Sequence, residues 1–350
     1  MSEGAPECGR PFRMSDESDF PVRPLAQIAC ARDKLSFGAH ATDDGFEPEA
    51  DHLKISKETQ KPVVFLLDQL GGPHMTNAQS VSDHWGKGDV YARILQAMER
   101  AGMVPVSATI EDLAPVDHFH ARGFPATVDL ADVLPIREGH RLVDIGCGIG
   151  GPARYLAKRF RCHVDGLDIT GPFVEAAERL TMLVGMENMV EFRHGDGQKL
   201  PYENEAFDGG YAQHVTMNVP DRDSFFAEAF RVLKPGAFFA LTEHGLGEVG
   251  EPHHPVPWSE DGTGAYLMRP TDTVAALEGA GFSQIQVTNT GEKYLQGYKA
   301  AIERAEKGKA PVFGVHILLG ELAPQIVRNA ARNIEEGRTH PVQIVCFKPT

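Results

Sequence analysis

Apolar residues along this chain follow two rhythms, and their alternation predicts the fold class. From Asp89 to Ala101, Val90, Ile94, Leu95 and Met98 recur at helical spacing and stop at Gly102, a natural C-cap. Another helix is predicted over Pro125–Val133. Beyond it, short apolar runs predict strands at 141–145, 162–167, 189–193, 207–212, 236–242, 284–288 and 342–347. Helical spacing fills the gaps at 152–160, 171–185, 222–233 and 271–280. Strands alternating with helices of this length imply βαβ crossovers. The expected fold class is α/β, with a mainly parallel sheet. Two further helical segments, near 294–306 and 315–336, form an expected helical insertion before the last strand.

The N-terminal part breaks both rhythms. Residues 1–60 are rich in Pro, Gly, Asp and Glu, and only Val63–Leu67 forms an apolar run. Met75 opens a better-formed segment. The reading therefore expects residues 1–74 to be a poorly structured extension that contributes little to function. Residues 75–135 are expected as a helical N-terminal cap and 136–350 as the main domain. The interval 244–270 is too long for a bare connection and reads as a functional loop. It joins 292–338 as the expected acceptor-side insertions.

Composition narrows the partners. The formal net charge is −15 in 350 residues and no basic stretch offsets it, which argues against nucleic acid or an anionic membrane surface. Five cysteines, at 8, 30, 147, 162 and 346, are odd in number and lack a C-x-x-C pair, so reduced thiols are expected. No apolar run approaches the ~20 residues that a membrane helix needs. These features predict a cytoplasmic protein. His253 and His254 lack a third ligand at metal spacing, so no metal site is expected.

The chemistry concentrates in residues 141–151, where an apolar strand ends in Asp144 and runs into glycines at 146, 148 and 150. Glycines at alternate positions permit a sharp strand–helix turn and remove the Cβ atoms that would keep a ligand off the backbone. Helix N–H groups would then face the crevice. A second predicted strand ends in Asp168, where an acid can accept hydrogen bonds from both ribose hydroxyls. A third leads to Asp196 and Gly197, where an acid can accept from an adenine amino group. Asp144 decides between nucleotides. It would repel a pyrophosphate, which disfavours a nicotinamide dinucleotide, and attract the amino end of S-adenosylmethionine (SAM).

Taken together, Asp144-x-Gly146-x-Gly148-x-Gly150, Asp168, Asp196, Leu200-Pro201 before Phe207-Asp208, and Arg231-Val-Leu-Lys-Pro-Gly236 resemble the class I, Rossmann-like SAM-dependent methyltransferases over residues 77–350, which implies a doubly wound, seven-stranded sheet. Ala237 departs from the pattern, where many members carry a second glycine. Gly148–Arg154, Gln213–Asn218 and Pro255–Trp258 resemble the branch of sarcosine/dimethylglycine N-methyltransferases and ubiquinone- and tocopherol-type methyltransferases. The resemblance implies SAM as cofactor, held by Asp144, Gly146, Cys147, Gly148, Gly150, Asp168, Ile169, Asp196, Gly197 and Gln213. It implies a small-molecule acceptor at the ends of the fourth and fifth strands. There His214, Glu243 and His244 are the catalytic candidates, His214 or His244 as general base and Glu243 as a partner for an amine. Phe119, His120, Arg122, Asn218 and Trp258 are the candidate substrate contacts, Arg122 for a carboxylate. An amine of the glycine, sarcosine or dimethylglycine type is the first expectation, with O- or C-methylation of a quinone-like or natural-product acceptor as rival. A nicotinamide oxidoreductase on the same fold is the alternative from another class. The inserted helices are read as a lid or a homodimer surface.

Overall fold

The computed structural model describes residues 85, 86 and 88–350. The expectations for 1–74, for the first part of the cap, and for Cys8 and Cys30 lie outside the described residues. Three helices come first: α1 (Val90–Arg100), α2 (Ile110–Asp117) and α3 (Phe124–Val133). The second was missed by the periodicity reading, which treated 109–123 as a polar stretch. Its start is set by a capping box, in which Thr109 Oγ1 accepts from Asp112 N at 3.2 Å and Asp112 Oδ2 accepts from Thr109 N at 2.9 Å. The turn ends at Gly123, at φ 60°, and Pro125 then opens α3.

Then the alternation begins: β1 (Arg141–Ile145), α4 (Gly151–Phe160), β2 (His163–Asp168), α5 (Gly171–Leu183), β3 (Val190–His194), β4 (Phe207–Gln213), α6 (Arg222–Val232) and β5 (Leu233–Leu246). It closes with α7 (Pro270–Gly279), β6 (Ser283–Asn289), α8 (Gly291–Glu306), α9 (His316–Leu319), α10 (Ala323–Glu335) and β7 (Thr339–Phe347). The sheet order is β3-β2-β1-β4-β5-β7-β6. Strands β1 to β5 pair in parallel, and β7 inserts antiparallel between β5 and β6. The seven-stranded, mostly parallel sheet is as the rhythm predicts, and its order is the Rossmann-like one that the resemblance implies.

The strand order reverses between β1 and β4, which opens a crevice at their C-terminal ends. Two apolar layers hold the sheet. On one face Leu142, Leu156, Val164 and Tyr211 pack together; on the other, Val143, Phe207, Phe226, Phe239 and Ile344 do. Strand β5 begins earlier than the expected 236. Its register against β4 jumps from Phe207↔Leu233 to Gly209↔Phe238, so the Lys-Pro-Gly stretch is a bulge inside the strand. The last helices pack on each other and on β7, with Tyr294, Tyr298, Ala330 and Ala331 as their buried core. Among the described residues, no helix is long and apolar enough to cross a membrane.

Candidate active site

A cleft enclosing about 1190 Å³, open mouth included, lies across the C-terminal ends of β1, β2, β4 and β5. Its floor is the glycine turn. Gly146, Gly148 and Gly150 have φ of 84°, 54° and 85°, a region side chains rarely adopt. The three differ in task. A Cβ on Gly146 would stand 2.2 Å from Val215 Cγ2, and one on Gly148 would stand 2.7 Å from Phe119 Cε1. These two glycines border the cleft. Gly150 does not; it is the left-handed N-cap of α4, and a Cβ there would meet Phe192 at 2.4 Å. Cys147 also borders the cleft, yet burial and then the charges of Asp168 and Asp144 push its thiol well above its usual range. It is a small buried filler, not a nucleophile.

The acids stand where the strand ends were expected to put them. Asp144 closes β1, almost wholly buried, and its Oδ2 has no hydrogen-bond partner among the described residues. Burial pushes its carboxyl up to about 8, the neighbouring Tyr211 hydroxyl lowers it, and the Asp168 charge raises it. Asp168 closes β2 and already accepts from Gly148 N and Thr170 N, each at 2.8 Å. Those bonds pin the glycine turn to the second strand and leave the remaining lone pairs for a ligand. Ile169, Asp196, Gly197 and Gln213 complete this half of the lining. Asp196 accepts from Gln198 N at 2.8 Å and from its side-chain amide at 3.1 Å. Gln213 Oε1 accepts from Thr127 Oγ1 at 3.4 Å, while its Nε2 lacks a partner among the described residues.

The other half is aromatic. His214 follows β4 at φ 57°, a strained setting for a residue with a Cβ. Its Nε2 lies 2.8 Å from Tyr294 Oη, and its ring stacks on His120 at 5.5 Å between centroids. His244, in β5, is buried with Nε2 at 3.3 Å from Tyr298 Oη and its ring 4.9 Å from that of Trp258. Burial holds both imidazoles neutral, with His244 lowered to about 3 and His214 well below its ordinary value. His120 is lowered to about 4, first by burial; its Nδ1 meets Ala121 O at 3.2 Å and its Nε2 meets Thr127 Oγ1 at 3.0 Å. With both nitrogens engaged, His120 offers the cleft only its ring.

Several expectations need correction. Glu243 faces away from the cleft. Its carboxylate accepts from Arg222 Nη1 at 2.8 Å, Thr216 Oγ1 at 2.6 Å and Thr273 Oγ1 at 2.7 Å, a buried network that ties β5 to α6 and α7. Alternation along β5 explains this, because consecutive residues point to opposite faces and His244 takes the cleft side. Arg122 is also outside the lining; its guanidinium pairs with Asp129 at 2.9 Å. Asn218 borders the cleft, but its amide donates to Trp258 O at 2.9 Å and Gly264 O at 2.8 Å, so it holds the 244–270 loop. That loop is pinned from the other side by α10, where Asn333 exchanges two hydrogen bonds with His253 and Asn329 donates to Pro255 O. His253 pairs with Glu336 at 2.8 Å; among the described residues, no group of three or more potential ligands could hold a metal.

The sequence reading passed over Tyr294 and Tyr298. Their signal was present, an i, i+4 aromatic pair on one face of α8, but nothing local said which way that face turned. It also missed the clamp on the cleft's covering segment. Asp117 and Arg154 form a fully buried ion pair at 2.7 Å, and Arg154 further donates to Ile149 O and Thr181 Oγ1. This joins the end of α2, which leads to Phe119 and His120, to the glycine turn and α5.

Comparison with known proteins agrees with this geometry. Residues 143–241 match a family model described as "Methyltransferase domain". The methyltransferase phqN of Penicillium fellutanum is 33% identical over 170 residues, 47% of this chain and 52% of that protein. A sterol 24-C-methyltransferase of Gibberella zeae is 37% identical over 114 residues, 33% of this chain and 30% of that protein. The chain thus spans about half the length, or less, of these curated relatives. A phosphoethanolamine N-methyltransferase of Haemonchus contortus, solved with phosphomonomethylethanolamine and S-adenosylhomocysteine, aligns with a TM-score of 0.59 at 21% identity. It covers 73% of this chain and 57% of its own.

Proposed function

We propose that the protein transfers the methyl group of SAM to a small-molecule acceptor, a reading supported by the match of residues 143–241 to a methyltransferase-domain model and by the order of the sheet. The observation that carries this reading is the buried Asp144 carboxyl, whose Oδ2 has no hydrogen-bond partner among the described residues, beside a turn whose glycines leave no room for side chains. Asp144 would receive the ammonium of the methionine part, Gly146 and Gly148 its close approach, and Asp168 the ribose. Asp196 and Gly197 stand where the base would lie. The residues present therefore fit SAM. A dinucleotide fits less well, since its pyrophosphate would meet Asp144 at the turn.

When bound, SAM supplies an electrophilic methyl group on a positive sulfur, and in-line approach is the chief requirement on the protein. Phe119 and Trp85, both lining the cleft, exclude water near the turn. His214 and His244 border the acceptor half. With its Nε2 engaged by Tyr294 Oη and its ring kept neutral by burial, His214 borders the acceptor as a neutral hydrogen-bonding group.

On the acceptor, a glycine-type amine carries a carboxylate, and the described residues lining the cleft include no Lys or Arg to receive it. With Arg122 engaged elsewhere and Glu243 satisfied in its own network, O- or C-methylation of a neutral molecule is the better-supported reading. Calorimetric titration of the full chain with S-adenosylhomocysteine and with NAD tests the cofactor assignment. S-adenosylhomocysteine binding without NAD binding is the expected result, and the reverse would overturn it.

A further inference from the structure

Two buried ring nitrogens in the acceptor half of the cleft lack hydrogen-bond partners among the described residues. Trp258 and His244 both line it, with ring centroids 4.9 Å apart. Each is at least 98% buried, and neither Trp258 Nε1 nor His244 Nδ1 has a hydrogen-bond partner among the described residues. Leaving such a group unpaired costs about 1–3 kcal/mol, so a ligand that satisfies both would gain on each. The indole N–H can only donate. The free imidazole nitrogen donates or accepts according to whether Tyr298 gives its proton to Nε2 or receives one.

Around this pair the walls are ring faces and thioether: His120, His214, Tyr298 and Met217. Among the described residues the lining contains no Lys or Arg, and its acids are Asp117, paired with Arg154, and Asp144, Asp168 and Asp196 in the cofactor half. We propose that this chamber selects a neutral acceptor carrying a hydroxyl group, which accepts from Trp258 Nε1–H and bonds His244 Nδ1. A hydroxyl is both donor and acceptor and serves either His244 tautomer. An ammonium has no lone pair for the indole N–H. A carboxylate or phosphate would bring an uncompensated negative charge into a site already holding acids. A bare hydrocarbon would leave both nitrogens unpaired. Trp258 and His244 thus determine acceptor specificity, while Tyr298 fixes the imidazole. The inference rests on the methyltransferase reading, since the chamber's occupant is taken to be the acceptor.

The test uses the full chain saturated with S-adenosylhomocysteine and four matched probes: p-cresol, 4-methylbenzylamine, 4-methylbenzoate and toluene, titrated calorimetrically. Saturation is itself checked first, so failure to bind S-adenosylhomocysteine sinks the cofactor reading and not the chamber's chemistry. Expected is p-cresol binding at least tenfold tighter than the other three. Trp258→Phe keeps an aromatic ring and removes the N–H; it should weaken p-cresol about tenfold and leave toluene and S-adenosylhomocysteine within twofold. A second variant, Tyr298→Phe, frees His244 Nε2 and should weaken p-cresol by a smaller factor. Equal binding of p-cresol and toluene, tighter binding of the amine or the carboxylate, binding of none, or indifference of p-cresol to Trp258→Phe in a folded variant each overturns the proposal.

Discussion

In the proposed SAM site, the Asp144 carboxyl would couple cofactor binding to a proton. With its titration pushed up to about 8 by burial, the carboxyl is mostly protonated at pH 7 before the cofactor binds. A cationic amino group beside it needs the ionised form, so binding at pH 7 includes the cost of removing that proton. The sign follows from linkage: the cation lowers the carboxyl's titration point, binding releases close to one proton, and affinity rises as pH rises toward 8. Between pH 6 and pH 8 the dissociation constant of S-adenosylhomocysteine should fall by up to about tenfold per pH unit. The same carboxyl acts on folding in the opposite sense. Being raised from the ordinary 3.8, it favours the empty fold below pH 4, and that contribution is lost as pH climbs through 8. The thermal shift produced by the cofactor should therefore grow with pH. Calorimetry in two buffers of different ionisation enthalpy counts the protons directly. Asp144→Asn keeps the shape and removes both the charge and the titration. It should lose the pH slope and the proton release, and weaken binding at pH 8 about ten- to a hundredfold, the worth of a charged hydrogen bond. An affinity flat from pH 6 to 8 with no proton released, or an Asn variant that binds like the parent, would refute the reasoning.

Three further outcomes follow from the packing. Gly146→Ala forces a Cβ to 2.2 Å from Val215 at φ 84°, so S-adenosylhomocysteine affinity should drop more than tenfold, with about 1–2 kcal/mol of stability lost to backbone strain; calorimetry and denaturant unfolding measure the two. Asp117→Ala strands Arg154 in a fully buried site and should cost about 3–5 kcal/mol in urea unfolding, far more than loss of the exposed Lys158–Glu111 pair in Glu111→Ala. Glu243→Gln leaves the buried Arg222 without its counter-charge, so the expected signature is a lowered melting temperature with unchanged S-adenosylhomocysteine affinity; a folded, equally stable variant with selectively lost turnover would restore Glu243 to the chemistry.

The glycine turn, the acids at the ends of β1 and β2, and the parallel alternation were legible because each is written in a local rule. A strand ending in an acid before alternate glycines can build few other things, and period-two runs between period-3.6 runs name a βαβ sheet. Helix α2 was hidden because its evidence is a capping pair, Thr109 and Asp112, within an otherwise polar segment. Glu243 and His244 show where local reading stops. Both looked suited to acceptor chemistry, and only the pleat of β5 and the position of Arg222 on a neighbouring helix decided that one is buried structure and the other lines the cleft. Arg122 was misplaced for the same reason, since Asp129 claims it one helix later.

Sequence alone thus determined the strand–helix scaffold, the glycine turn and the acids at the strand ends, because these are contiguous motifs. The acceptor half was decided by tertiary structure. It is assembled from His120 before the sheet, His214 just after β4, His244 in β5, Trp258 in a loop pinned by α10, and Tyr298 on α8, with Tyr294 behind His214. These come from segments up to about 180 residues apart, and whether each ring meets the cleft depends on how helices inserted before the last strand pack against it. Hydrogen-bond vacancies such as those of Trp258 and His244 exist only once every neighbour has been placed.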